Sequence, residues 1–152
     1  MTAPRVEKAY EKYAWIILFA VGTFGFIGNL ALTLIGPSVD PDLQPIAGVT
    51  WDELSSANPR VASWIDYIYR SVSGNAVLAS FFMMAISLKS YRRGEKWSWY
   101  ALWSFPVFLG LGLFPYSLSV GASGATIYLY TVVLIVFLLG LLLPYRKFFP
   151  RK

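Results

Sequence analysis

Four stretches of the chain are apolar and free of charged residues, and shorter polar segments separate them. They cover residues 13–36, 71–88, 97–116 and 125–143. Each is close to the roughly 20 residues that a helix needs to cross the hydrocarbon core of a bilayer. The pattern predicts an all-α integral membrane protein, a four-helix bundle that forms one membrane domain over residues 1–152.

The segment 37–70 is the only sizeable polar region between these stretches, and we expect it to form a short helical cap outside the cytoplasm. Thr50, with Glu53 three residues later, fits a capping box at a helix start. Asn58 and Pro59 fit an N-cap followed by proline at the first helical position. The apolar residues after Pro59 recur at helical spacing, so this second helix is expected to run into the second span.

Lysine and arginine flank the apolar stretches unevenly, and this asymmetry predicts the orientation. The chain has 13 such residues and a net charge of +5. One side of the membrane receives most of them: Arg5, Lys8, Lys12, Lys89, Arg92, Arg93, Lys96, Arg146, Lys147, Arg151 and Lys152. The other side receives only Arg60 and Arg70. Both termini are therefore expected in the cytoplasm of a multi-pass cell-membrane protein. Because the basic residues form no continuous face, nucleic acid is not expected as a partner.

The composition excludes several kinds of chemistry. The chain is 57% hydrophobic and 14% charged, and it contains neither cysteine nor histidine. Thiolate and imidazole ligands for metals, haem and iron–sulfur clusters are therefore missing. No Asp, Glu, Lys, Arg or His lies inside the four stretches, which argues against a proton relay. We expect no metal, no cofactor and no catalytic site.

Two asparagines inside the spans, Asn29 and Asn75, lie at similar depth in the outer half. Tyr116, Tyr128 and Tyr130 fall in the same half, and one interpretation of these residues is an outward-facing ligand pocket. Its candidate residues are Asn29, Asn75, Trp51, Trp64, Tyr116 and Tyr128. The alternative is that the two amides form hydrogen bonds between helices, which contribute roughly 0.6–2 kcal/mol each in membranes.

Small and polar residues share one face of the first span: Gly22, Gly25, Asn29, Thr33 and Gly36. Small side chains allow another helix to approach closely. The face indicates either a packing seam inside the bundle or a contact with a partner protein or a flat cofactor.

A basic turn follows the second span and contains Lys89, Arg92, Arg93 and Lys96. Clustered cations beside a membrane helix are typical of contacts with anionic lipid headgroups. The alternative is that they only determine topology.

Three segments resemble uncharacterised small four-span bacterial membrane proteins. They are Trp51-Asp52-Glu53-Leu54, Asn58-Pro59 and the ten residues from Tyr91 to Tyr100. The resemblance covers most of the chain and implies the same four-span fold, but no activity. DoxX-like proteins are similar in architecture only. Four-span sterol-isomerase-like enzymes share the architecture as well, but they use histidine and membrane-buried acids, which this chain lacks.

These features favour a non-catalytic membrane protein that is an accessory or structural subunit of a membrane complex. Its expected partners are the lipid bilayer and other membrane subunits. The alternative is a binding or carrier protein for a lipid or another hydrophobic ligand in the outward-facing pocket. A third interpretation, an enzyme acting on a lipid headgroup, would use Asp52, Glu53 or Asp66. The pair Asp66 and Arg70, at positions i and i+4, is by default a solvated ion pair.

Overall fold

The computed structural model describes residues 9–150, and these residues form a four-helix bundle with a small helical cap. The helices in chain order are α1 (Ala9–Ile35), α2 (Leu43–Ala47), α3 (Trp51–Ala57), α4 (Pro59–Ile86), α5 (Lys96–Phe108), α6 (Phe114–Ser119), α7 (Gly124–Leu142) and α8 (Tyr145–Phe148). No β-strand occurs within residues 9–150. The predicted all-α four-helix bundle is confirmed. The basic residues Arg5, Lys8, Arg151 and Lys152 lie outside the described residues.

Two of the long helices contain a π-helical turn. Ser87–Tyr91 extends α4, and Leu109–Leu113 joins α5 to α6, shortly after Pro106. Proline has no N–H to donate, so a wider turn is a natural adjustment near it. With these turns included, four helices within residues 9–150 are long and apolar enough to cross a membrane.

Within the cap, helices α3 and α4 begin where the sequence predicts, whereas α2 was not predicted. The Thr50 backbone N–H donates to Glu53 Oε2 at 2.7 Å, and the Glu53 N–H donates to Thr50 Oγ1 at 3.3 Å. The Thr50 N–H and the Thr50 hydroxyl both donate to the Glu53 carboxylate, and these two bonds hold the pKa of the Glu53 carboxyl below its ordinary value. The Asn58 side chain accepts from the backbone of Val61. Because α4 is continuous from Pro59, the separate part of the cap is shorter than residues 37–70.

The first long helix is the centre of the bundle. Both α4 and α7 pack along α1, but α4 and α7 scarcely touch each other. The third span, α5 with α6, packs on α7 and on the π-helical turn after α4. We call the end that carries α2 and α3 the cap end and the end that carries the turn between α4 and α5 the basic end. The helices are held together more fully at the basic end.

Candidate functional site

The buried apolar core lies towards the basic end. Its members come from all four spans and from α8: Leu18, Met83, Tyr91, Leu102, Phe137, Leu141 and Phe148. Tyr91 is only 2% exposed. Its ring packs on Phe148 with centroids 4.6 Å apart. This half of the bundle is therefore filled.

The small face of α1 packs against α4 as an internal seam. A Cβ added at Gly22 would lie 2.8 Å from Met84 Cγ, and one at Gly25 would lie 2.8 Å from Ser80 Oγ. Close approach of the two antiparallel helices thus depends on these glycines. Of the two interpretations of this face, the internal seam matches the contacts of Gly22 and Gly25.

Helices α1 and α7 each end just before a proline. Because proline has no N–H, the carbonyl four residues before it has no backbone donor, and a side chain from another part of the chain donates to it instead. Thr33 O would bond to the N–H of residue 37, but residue 37 is proline, and Arg70 Nη1 donates to Thr33 O at 2.8 Å. Likewise Gly140 O precedes Pro144 by four residues, and the Tyr91 hydroxyl donates to Gly140 O at 2.7 Å. Orphan carbonyls in apolar surroundings are costly, so both bonds stabilise the bundle.

Arg70 and Asp66 form the expected pair within α4. Arg70 Nε lies 2.9 Å from both Asp66 carboxylate oxygens, while the guanidinium also reaches the last carbonyls of α1. At Gly36, which has a φ of 88°, a Cβ would meet the Arg70 guanidinium at 2.6 Å. The positive φ and the close contact both favour glycine at position 36. Arg70 therefore has a structural role at the cap end.

A cavity of about 680 Å³ lies near the cap end, between α1, α4, α7 and the segment before α2. Helices α4 and α7 both border it but scarcely touch each other, so part of α1 between them is left uncovered. The residues that line it are Phe24, Gly25, Gly28, Asn29, Leu32, Asp40, Pro41, Asp42, Trp64, Ile65, Ile68, Tyr69, Val72, Ser73, Thr126, Leu129 and Tyr130. Phe24, Trp64 and Val72 are each more than half exposed, so the cavity opens sideways as well as towards the cap.

The deeper wall of the cavity is apolar apart from a few small polar groups. Gly28 lines it, and a Cβ at Gly28 would meet no atom within 4 Å. Asn29 also lines it, and its amide donates to Gly25 O at 2.7 Å within α1. The amide nitrogen of Asn29 thus finds an acceptor within its own helix and needs none from another helix. The wall can therefore contact a mainly apolar group.

The rim of the cavity is acidic. Asp42 Oδ1 accepts a hydrogen bond from the backbone N–H of Ser123 at 2.7 Å, which joins the cap to the start of α7. Asp40 Oδ1 accepts from the backbone N–H of Asp42 at 2.9 Å. Burial raises the pKa of the Asp42 carboxyl, but hydrogen bonds from Ser123 and Thr126 outweigh it and hold the pKa below its ordinary value. Asp42 is thus ionised at neutral pH.

The structure brings some of the predicted pocket residues together and separates others. Asn29 and Trp64 line the cavity. Trp51 lies in a second groove with Ala62 and Asp66, on another face of α4. Asn75 is exposed, and its amide donates to Ser71 O at 3.0 Å, so both asparagine amides bond within their own helices rather than between helices.

The two remaining predicted tyrosines, Tyr116 and Tyr128, are 65% and 73% exposed and do not line the cavity. Tyr130, two residues after Tyr128, lines it instead. Successive helical residues point about 100° apart, so depth along a helix did not identify the inward-facing residue.

The sequence analysis did not identify Tyr69, Asp40 or Asp42 as cavity residues. Ile65, Tyr69 and Ser73 all line the cavity. They are spaced four residues apart, so helical spacing from Ile65 would have suggested Tyr69. Asp40 and Asp42 carried no such signal. Asp42 meets Ser123 across a sequence separation of 81 residues, which only the folded chain brings together.

The basic turn is exposed at the opposite end. Lys89, Arg92, Arg93 and Lys96 all reach solvent. The Arg92 guanidinium lies 5.1 Å from the Trp15 ring centroid, and Lys96 Nζ lies 5.6 Å from that of Phe149. Cations over aromatic rings are typical of the boundary between lipid and water.

Within residues 9–150, no group of three or more potential metal-ligating His, Cys, Asp or Glu side chains occurs. Asp52 and Glu53 lie on exposed α3, and Asp66 is paired with Arg70. These acids are thus not gathered into one site.

Comparisons with family models, curated proteins and solved structures give no match to this chain. The resemblance to small bacterial four-span and DoxX-like proteins therefore stays a prediction.

Proposed function

We propose that this protein is a multi-pass membrane protein that binds an amphiphilic or hydrophobic molecule in the cavity at its cap end, as a binding or carrier protein. The single observation that carries this role is the cavity of about 680 Å³ between α1, α4 and α7. Ligand sites usually occupy roughly 300–1,000 Å³ and have mostly apolar walls with a few polar groups. The sideways opening gives a ligand a direct path from the surrounding lipid.

The contrast between the two ends of the bundle also favours a binding site. At the basic end large side chains fill the space between the helices, whereas at the cap end Gly28 leaves space that a side chain could fill. Glycine costs about 1 kcal/mol relative to alanine inside a helix. A larger residue would fit at position 28 and would favour the helix, so glycine at this position indicates that the space beside it is kept open.

We further propose that the cap end faces outwards, in the cell membrane, with both termini in the cytoplasm. The motive is the placement of the basic turn. Lys147 lies close to Gly94 of that turn, where a Cβ would be 3.3 Å from Lys147 Cε, so the turn and the C-terminal helix share one end. Basic residues concentrate on the cytoplasmic side of membrane proteins.

Single cysteines test this orientation, because the chain contains none of its own. Ser38 and Arg93 are both exposed, at opposite ends of the bundle, whereas the neighbouring Ser90 is buried and would label poorly. On intact cells an impermeant maleimide is expected to label Ser38→Cys and not Arg93→Cys. Permeabilised cells should label both variants. Labelling of Arg93→Cys alone on intact cells would reverse the orientation.

Ligand binding is tested by filling the cavity. The probe is dodecanol with a diazirine in its tail, and cross-linked peptides are mapped by mass spectrometry after illumination of the purified protein. Gly28→Leu is expected to reduce labelling of the cavity peptides at least tenfold, because the leucine occupies the space. The melting temperature should not fall, since leucine is the better helix former.

The matched control is Gly74→Leu. A Cβ at Gly74 also meets no atom within 4 Å, but Gly74 does not line the cavity. Labelling in this variant should equal that of the unaltered protein. If the probe instead labels α5 and α6 as strongly as the cavity helices, or Gly28→Leu leaves labelling unchanged, the cavity is not a binding site.

The accessory-subunit interpretation stays a prediction of the sequence. Native purification separates it from a binding role, because a stoichiometric protein partner would indicate a subunit. A co-purifying small amphiphile would indicate a binding protein.

A further inference from the structure

The ionisable groups along the cavity have an unusual balance. Two aspartates, Asp40 and Asp42, and two tyrosines, Tyr69 and Tyr130, line it, and among the described residues no lysine or arginine does. Arg70 adjoins Tyr69 in sequence, but its guanidinium is engaged by Asp66 and by the carbonyl oxygens of α1. The rim therefore carries negative charge that no lining side chain neutralises.

Aromatic rings line the cavity together with these carboxylates. Phe24, Trp64, Tyr69 and Tyr130 border the same space. The face of an aromatic ring attracts ammonium groups, and a desolvated site strengthens that attraction. Carboxylates combined with aromatic rings are thus suited to a cationic headgroup, while the wall around Gly28 and Leu32 suits an alkyl or ring-containing tail.

We propose that the cavity selects amphiphiles with a net positive charge, such as a hydrophobic amine or a quaternary ammonium compound, placing the ammonium group at Asp40 and Asp42 and the apolar part against α1. This inference rests on the proposed binding function and specifies its ligand. A zwitterionic phospholipid fits less well, because its phosphate would meet the same two carboxylates without a lysine or arginine to pair with.

The two aspartates differ in their structural roles. Asp42 accepts the Ser123 N–H and joins the cap to α7, so its substitution alters structure as well as charge. The Asp40 carboxylate accepts a hydrogen bond from the Asp42 N–H, within the same loop. Asp40→Asn keeps the shape of the side chain and removes one negative charge. It is therefore the more informative variant.

The experiment compares three photoaffinity probes that share one diazirine dodecyl tail and differ in the headgroup: hydroxyl, trimethylammonium or phosphocholine. Labelling of cavity peptides is measured against probe concentration in a neutral detergent. The trimethylammonium probe is expected to half-saturate at a concentration about tenfold lower than the other two. Asp40→Asn should weaken this probe alone by about fivefold, an effect of the size expected for one nearby charge.

The matched control is Asp52→Asn, which removes the same charge from the cap at an exposed residue outside the cavity. It should leave all three probes unchanged. Asp40→Glu should restore the preference for the cation, and added salt should weaken the trimethylammonium probe more than the hydroxyl probe.

The outcomes distinguish this inference from the proposed function. If the hydroxyl probe labels the cavity but the trimethylammonium probe binds no better, the ligand class is wrong and the binding role stands. Equal weakening of all probes by Asp40→Asn would make Asp40 a structural residue and also overturn the inference. If no probe labels the cavity, the proposed function itself fails.

Discussion

Replacing Tyr91 by alanine is expected to lower the free energy of unfolding by about 3–5 kcal/mol, the usual range for truncating a large buried aromatic side chain. Tyr91 is 2% exposed and packs on Phe148 in the core at the basic end. Its loss removes these contacts. It also leaves Gly140 O without a hydrogen-bond donor, since Pro144 has no N–H. Titration with sodium dodecyl sulfate, followed by circular dichroism, measures the change.

Two further variants separate the causes of this loss. Tyr91→Phe keeps the ring and removes only the hydroxyl, so it should cost about 1–3 kcal/mol, the penalty for an unpaired buried acceptor. Tyr67→Ala truncates a tyrosine that is 67% exposed and should change stability little. If Tyr91→Ala behaves like Tyr67→Ala, the packing of the basic end is not as described.

Replacing Gly22 by leucine is expected to destabilise the bundle by about 1–3 kcal/mol or more, because the seam between α1 and α4 has no room for a side chain. A Cβ at Gly22 would lie 2.8 Å from Met84 Cγ and 3.3 Å from the Met84 backbone nitrogen. The flexible Met84 side chain can move, but the backbone of α4 cannot move without opening the seam. Gly22→Ala should therefore cost less than Gly22→Leu.

Thermal unfolding in detergent measures this effect, at about 2–4 °C per kcal/mol for a chain of this size. Gly74→Leu is the control, since a Cβ at Gly74 meets nothing within 4 Å. The melting temperature should fall for Gly22→Leu and stay level or rise for Gly74→Leu. Equal melting temperatures for the two variants would mean that the glycines of α1 do not determine helix approach.

Features written into short stretches of sequence were predictable. The hydrophobic pattern predicted the number and type of the spans, and Thr50, Glu53, Asn58 and Pro59 predicted two helix starts. Each of these depends on residues within about one helical turn of each other. The small face of α1 was recognised as a packing surface for the same reason, because its spacing is that of a helix.

The cavity was not predictable in the same detail. Its shape depends on the gap between α4 and α7, which both pack on α1, and no local pattern encodes that gap. Asn29 and Trp64, two of the predicted pocket residues, line the cavity. Tyr116 and Tyr128 were predicted from their depth alone and do not line it, because lining also requires a side chain on the inward face of its helix. The acidic rim depends on the contact between Asp42 and Ser123, far apart in the chain.

The two helix-ending prolines, Pro37 and Pro144, have a consequence for how the bundle assembles. Each leaves one carbonyl, Thr33 O or Gly140 O, that only a donor at a matching height on another element can reach. Sliding a helix by one turn moves that donor by about 5.4 Å and breaks the bond. An assembly intermediate with such a slip would keep most of its apolar contacts but lose this pairing. The prolines thereby discriminate against misaligned helix pairs that hydrophobicity alone would tolerate.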